Sequence, residues 1–308
     1  MGRMVLRRLA SALVVMWGAA SLIFVVIRLA PGGPALVLLG PDASQEEVDA
    51  LTTRLGLDRS LPEQYLHYLL DVCRLDFGDS YRLDMPAMEA VLSRLPASLE
   101  LAATAAVIAV CAGLVLGLVA GYRRGGVVDR VTSALTIGLQ AFPTFWVGIM
   151  LILLFALVLR ALPSSGAGTP QHIILPAVTL SLPFTAIVAR LTRSSVVEEM
   201  EEPYAATARA KGLNDRQVLI GHVLRNSLTP VLTVVALQLG ALIGGAVVVE
   251  NVFAWPGLGS LIVSAVSNRD YAVVQAAALT IAGIIVLLNL LADLATARLD
   301  PRIRVGAG

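Results

Sequence analysis

The sequence predicts an all-α integral membrane protein that crosses the bilayer six times, and three observations carry that expectation. Of 308 residues, 57% are apolar and only 15% charged, with a mean hydropathy of +0.80; soluble domains carry roughly 25% charged residues. The apolar residues fall in runs long enough to cross a hydrocarbon core, which is about 30 Å thick and takes roughly 20 helical residues to span. The charges fall in blocks between those runs, and cation-rich blocks alternate with sparse ones. A formal net charge of +1 leaves no basic excess to recruit nucleic acid.

The first span is Leu9 to Leu29, where Ser11, Ser21 and Arg28 are the only polar members. It is too long for the apolar region of a signal peptide and leads into Pro31-Gly32-Gly33-Pro34 with no small-residue cleavage site, so it is expected to remain in the membrane. Further spans are expected at Leu99 to Tyr122, Val131 to Leu159, Ile173 to Leu191, Leu232 to Val249 and Val273 to Leu294.

Cations in short connections resist translocation and so set orientation. Arg3, Arg7 and Arg8 precede the first span, and Arg123, Arg124 and Arg130 lie between the second and third. Arg190, Arg193, Arg209, Lys211, Arg216 and Arg225 lie between the fourth and fifth, and Arg298, Arg302 and Arg304 follow the sixth. The opposite side has Arg160, Arg269 and five arginines diluted through a long acidic loop. Both termini are therefore expected in the cytoplasm. The chain divides into residues 1–30 (N-terminus and first span), an extracytoplasmic segment 31–98, a core of helices 2–6 over 99–297, and a cytoplasmic tail 298–308.

Catalytic constellations are missing from the sequence. A phosphate-binding loop needs Gly-x-x-x-x-Gly-Lys followed by Ser or Thr, and the only lysine, Lys211, is followed by Gly212. No His-Glu-x-x-His or Gly-x-Ser-x-Gly occurs, and His67, His172 and His222 fall on different sides of the expected membrane. No metal site and no enzyme activity are expected. Cys73 and Cys111 have no partner on the same side and are expected to be inert packing residues.

The cytoplasmic loop 192–229 has its own local signals. Glu198, Glu199, Glu201 and Glu202 followed by Pro203 suit a helix N-terminus, and Gly212 suits a left-handed stop. Asn214 with Gln217 three residues on forms a capping-box pattern that opens a second helix, expected to close before Pro230. A helix, glycine turn and helix on the cytoplasmic face can be laid into a groove of a partner, or can serve as a positive anchor that fixes topology.

At these residues the chain resembles the inner-membrane permease subunits of binding-protein-dependent ABC importers, in their dipeptide, oligopeptide and nickel branch (dipeptide permease B type). Tyr204-Ala205-Ala206-Thr207-Ala208-Arg209-Ala210-Lys211-Gly212 resembles that branch's cytoplasmic "EAA" motif, and His222 to Pro230 resembles its continuation, with Ala206 where a Glu is usual. Leu55-Gly56-Leu57-Asp58, Asp76-Phe77-Gly78-Asp79-Ser80, Arg94 to Leu101, Glu250 to Gly259 and Arg269-Asp270-Tyr271 follow in family order. The resemblance implies a type I ABC importer permease fold in a bacterial inner membrane. It implies as partners a homologous second permease, two cytoplasmic ATPases carrying ATP and magnesium, and an extracytoplasmic solute-binding protein. It also implies that Tyr204, Ala206, Thr207, Ala208, Arg209, Lys211, Gly212 and His222 couple this chain to an ATPase.

Polar residues inside spans tend to turn toward the bundle interior, which singles out Gln140, Gln238 and Asn289 as path-lining candidates or interhelical hydrogen-bond partners. Gly113, Gly117 and Gly121, and likewise Gly240 and Gly244, are expected at close helix contacts. Pro143, Pro176 and Pro183 interrupt helices. Glu250, Asn251, Trp255, Pro256 and Gly257 lie together at the extracytoplasmic end of the fifth span, as a substrate or binding-protein contact or as a structural turn. The expected function is half of a translocation pathway for di- or oligopeptides or related solutes. The alternatives are the same architecture importing nickel or another metal chelate, and a secondary transporter, which would use intramembrane carboxylates that these spans nearly lack.

Overall fold

A computed structural model describes residues 2–29, 44–54 and 58–299. The Pro31–Pro34 motif, Leu55-Gly56-Leu57 and the tail cations Arg302 and Arg304 lie outside the described residues, as do the side chains of Arg3 and Arg298. Among the described residues five helices are long and apolar enough to cross a membrane, and a bent helix pair brings the number to six if it counts as one span. The described residues are mainly helical, with one short two-stranded hairpin.

The chain forms two compact units. The first comprises Met1–Ala97 and Pro256–Val286. It contains α1 (Gly2–Leu29), the short helices α2 (Gln45–Arg54) and α3 (Leu61–Arg74), and a hairpin of β1 (Asp79–Ser80) with β2 (Met85–Pro86). It also holds the start of α4 (Ala87–Tyr122), α11 (Leu258–Ser267) and most of α12 (Tyr271–Leu299). Helix α3 opens on a Ser60 capping box with Glu63 and ends at Leu75 in the left-handed conformation. It is held to α1 by Ser21 against the Tyr65 hydroxyl at 2.6 Å, by Arg28 Nε donating to Gln64 at 2.9 Å, and by Phe24 against the Tyr65 and Tyr68 rings. Val91, Leu258, Val273 and Ala277 form a buried cluster at the foot of α4, α11 and α12. Asp270 ties that cluster to the hairpin: its carboxylate accepts from Ser80 Oγ at 2.5 Å and from the Val273 N–H at 3.3 Å. The described part of the segment before the second span is thus largely helical, and α4 begins at Ala87, well ahead of Leu99.

The second unit comprises Ser98–Trp255 and Leu287–Gly308. After α4 come α5 (Val127–Ala141), α6 (Thr144–Leu151) with a π-helical continuation over Ile152–Val158, and α7 (Ile174–Glu201). Then follow α8 (Pro203–Ala210), α9 (Asp215–Val218), a π-helical turn at Leu219–Val223, and α10 (Leu224–Val252). The close approach expected of the α4 glycines is present. A Cβ on Gly113 would lie 2.6 Å from Val188 Cβ, and one on Gly117 would lie 2.5 Å from the Ala189 carbonyl oxygen, so α4 and α7 meet almost backbone to backbone.

Several expectations are corrected. The expected span Val131 to Leu159 is formed by two helices bent by 103° at Phe142–Pro143, where Pro143 was expected to interrupt a helix. Pro143 lacks the N–H to continue α5 and caps α6. Pro230 does not end a helix: Asp215 to Val252 runs on without a break, and Pro183 sits inside α7 in the same way. A proline in a helix interior costs roughly 3 kcal/mol, which the burial of Val231 beside Pro230 offsets in part. Glu198, Glu199 and Glu201 belong to the last turn of α7, not to the start of α8. Gly244 faces open space, so the fifth span has no second close-contact glycine there. Cys73 and Cys111 are both exposed; Cys111 shares its face of α4 with exposed Val115 and Val119, away from the packed glycines.

Candidate functional site

The segment between α7 and α10 is a helix, glycine turn and helix. Its register follows from the sequence: Ala205 and Ala208, three apart on α8, turn inward onto Val196, Val218 and Val223, with Leu118, Met200 and Leu213 packed around them. Ala206, Thr207 and Ala210 face outward, followed by exposed Lys211 and Gly212. Small side chains on both faces of α8 let it lie close to its support and present a nearly flat outer surface.

Polar contacts fix this knob in place. Asn214 Oδ1 accepts from the Gln217 N–H at 3.0 Å while Gln217 Oε1 accepts from the Asn214 N–H at 2.9 Å, completing the capping box. Gly212 has φ +90°, which closes α8 in the left-handed region. Arg209 bridges three pieces, its Nε donating to Asp215 at 2.8 Å and its Nη1 to the Met200 carbonyl at 3.1 Å. The Tyr204 hydroxyl donates to Glu199, and burial together with that bond pushes the phenol above its usual range. His222 is exposed on the π-helical turn.

Sequence reasoning missed the ion pair beside this knob. Asp129 at the start of α5 is 4% exposed and accepts two hydrogen bonds from the Arg193 guanidinium of α7, plus one from the Gly125 N–H at 2.9 Å. Arg193 counted as one of the loop cations, and its partner is 64 residues away; the only local signal was an acidic residue entering an apolar run.

The candidate path residues do not converge. Gln140 and Asn289 are exposed on the surface of this chain. Gln238 is half-buried and lines a pocket of about 190 Å³ where α6, α7 and α10 meet. Glu250 is 1% exposed, with Ser98 Oγ of α4 donating to it at 2.6 Å. The backbone N–H of Trp255 donates to the Glu250 carbonyl at 2.8 Å, and the Trp255 side chain is buried, as is Gly257; Asn251 is exposed and Pro256 half-buried. Glu250 and Trp255 are thus packed into the protein, while Asn251 stays exposed at the same end of α10. Among the described residues no cluster of three His, Cys, Asp or Glu is arranged to hold a metal ion.

Comparison with known proteins covers nearly the whole chain. Residues 113–305 match the family described as binding-protein-dependent transport system inner membrane component, and residues 1–102 match the N-terminal region of such membrane components. A "probable peptide ABC transporter permease protein y4tP" of Sinorhizobium fredii is 40% identical, covering 99% of this chain and 100% of that one. The "glutathione transport system permease protein GsiC" of Salmonella typhi is 40% identical over 97% of this chain and 98% of its own length. Among solved structures, an inward-facing methionine ABC transporter, MetNI, aligns with a TM-score of 0.55 over 69% of this chain and 97% of that chain, at 16% identity. An amino acid ABC transporter aligns with a TM-score of 0.51 over 70% and 94%, at 17% identity. These two likenesses establish the fold alone.

Proposed function

Because the chain belongs to the family of binding-protein-dependent transport system inner membrane components, we propose that it forms half of the pathway by which an ATP-driven importer carries di- or oligopeptides, or peptide-like solutes such as glutathione. The chain is a membrane-embedded permease subunit of an ABC importer and not itself an enzyme. The peptide class rests on relatives named for peptide and glutathione transport, which match over nearly the full length.

In this reading a homologous second permease supplies the other half, and two cytoplasmic ATPases bind ATP and magnesium. A solute-binding protein delivers substrate from outside the bacterial cell membrane, and both termini of this chain lie inside. The outward face of α8 is the observation that carries the reading. Ala206, Thr207 and Lys211 stand on a packed, hydrogen-bonded knob joined to α7 through one extended residue, Glu202, and running without a break into α10. A partner that moves this knob moves two spans with it, as a lever for alternating access.

The test is to purify the chain with its neighbouring ATPase, permease and binding-protein subunits, identify by mass spectrometry the ligand bound to the binding protein, and measure its ATP-dependent uptake in proteoliposomes. A peptide ligand and ATP-driven uptake are expected. A metal chelate would overturn the peptide assignment while sparing the importer, whereas uptake driven by an ion gradient without ATP would overturn both.

A further inference from the structure

We infer that the pocket at the junction of α6, α7 and α10 is a permease-side recognition site for an apolar side chain of the passing peptide, with Gln238 holding the adjoining peptide group. This rests on the peptide-importer reading and goes beyond it, because it assigns part of the selectivity to this chain.

Three observations meet at the pocket. Its walls are apolar, formed by Leu180, Phe184, Ile187 and Leu242, and its volume is about 190 Å³. A cavity of about 150 Å³ lined by such residues holds a benzene ring, so this one has room for a single branched or aromatic side chain. The pocket carries two polar groups, the Gln238 amide and the Thr144 hydroxyl, and among the described residues neither has a hydrogen-bond partner. An amide in a spanning helix does not stay unpaired without penalty. Finally, Thr144 opens α6 directly after the 103° break at Pro143, and broken backbone inside a span is tolerated where it is buried in protein or lines a cavity.

These observations select the occupant by chemistry. A lipid acyl chain would fill the apolar walls and leave the amide unpaired. Water would serve the amide and wet walls that favour staying dry. A side chain attached to a peptide group satisfies both, since the carboxamide of Gln238 can donate to a carbonyl and accept from an N–H.

The experiment uses the complete importer in proteoliposomes, with its binding protein saturated in turn by dileucine and by dialanine. Ala241→Leu fills the pocket mouth, and it is expected to lower dileucine uptake about tenfold relative to dialanine, the scale of losing one buried leucine side chain. Gln238→Leu, which keeps the volume, is expected to lower uptake of both dipeptides by a similar factor. An equal fall for both dipeptides in Ala241→Leu, or no change, would overturn the proposal and mark the pocket as a seat for the second permease subunit. Should Ala241→Leu fail to assemble, unchanged uptake in Gln238→Leu overturns the proposal and a parallel fall supports it. Transport of neither dipeptide by the unmodified importer overturns the dipeptide form of the importer reading, a separate outcome.

Discussion

Arg193 grips Asp129 through two hydrogen bonds, with Nη2 donating to Oδ2 at 2.8 Å and Nε donating to Oδ1, so that the start of α5 is pinned to the last third of α7. The two partners are not equivalent. The Asp129 side chain is 6% exposed and that of Arg193 is 34% exposed. Removing the arginine strands a carboxylate in the interior, a loss of about 3 kcal/mol. Removing the charge from the aspartate frees a guanidinium that can reach water, a loss of about 1 kcal/mol. Arg193→Ala is therefore expected to lower the thermal unfolding midpoint of the purified complex more than Asp129→Asn, and equal shifts would refute the asymmetry.

Close packing of α4 on α7 leaves no room for a methyl group at Gly117. A Cβ there would sit 2.5 Å from a carbonyl oxygen and from Thr192 Cβ, and a backbone atom cannot swing aside. Gly117→Ala is expected to cost about 3 kcal/mol, the upper end of overpacking penalties. At Gly244 nothing lies within 4 Å, and Gly244→Ala is expected to be neutral or slightly stabilising, as alanine is the better helix former. Yield of folded protein and its unfolding midpoint read both, and a tolerated Gly117→Ala would mean that the two helices stand farther apart than these distances.

Tyr68 on α3 has a buried hydroxyl without a hydrogen-bond partner among the described residues. Burial pushes its phenol up to about 12, against a smaller opposing pull from Arg28. A raised folded-state value means that the neutral ring stabilises the fold at every pH below its ordinary value near 10, and that this contribution is lost as pH climbs through about 12. The docking of α3 on α1 is expected to be flat with pH below 10 and to loosen above it, read by protease access to α3. Tyr68→Phe removes an unpaired polar group and is expected to raise stability by about 1 kcal/mol and to abolish the alkaline loosening. A destabilised Tyr68→Phe would show that the hydroxyl has a partner.

What the sequence made legible was local. The Asn214–Gln217 capping box, the Gly212 stop and the four-residue glycine spacing of α4 all depend on neighbours within one or two turns, and all are present. Prolines were legible only in part: Pro143 was expected to interrupt a helix and does, whereas Pro183 and Pro230 sit inside continuous helices. The Asp129–Arg193 pair and the burial of Glu250 against Ser98 depend on contacts 64 and 152 residues apart, and no local pattern specifies them. For the candidate site the helix, glycine turn and helix followed from local signals and the coupling residues from the family resemblance, while the inward turn of Ala208, the seating of Gln238 in a pocket, and of Gln140 and Asn289 on the surface, needed the fold.

Gly212 links a local backbone conformation to the motion of two spans. Its N–H donates to the Arg209 carbonyl at 2.9 Å, and the next N–H, of Leu213, is turned by the Gly212 φ of +90° to reach the Ala208 carbonyl at 3.3 Å. A β-branched residue there is strained by about 1–2 kcal/mol, small against the stability of the whole membrane bundle but large for a two-turn helix held by one core. Space is not the obstacle, since nothing lies within 4 Å of where a Cβ would stand. Gly212→Val is thus expected to assemble normally yet shift α8 on its support, so that ATP hydrolysis continues while uptake per ATP falls several-fold. Gly212→Asn, which enters the left-handed region more readily, is expected to keep most of the coupling. Wild-type uptake per ATP in a fully assembled Gly212→Val complex would show that the turn geometry does not transmit the partner's motion.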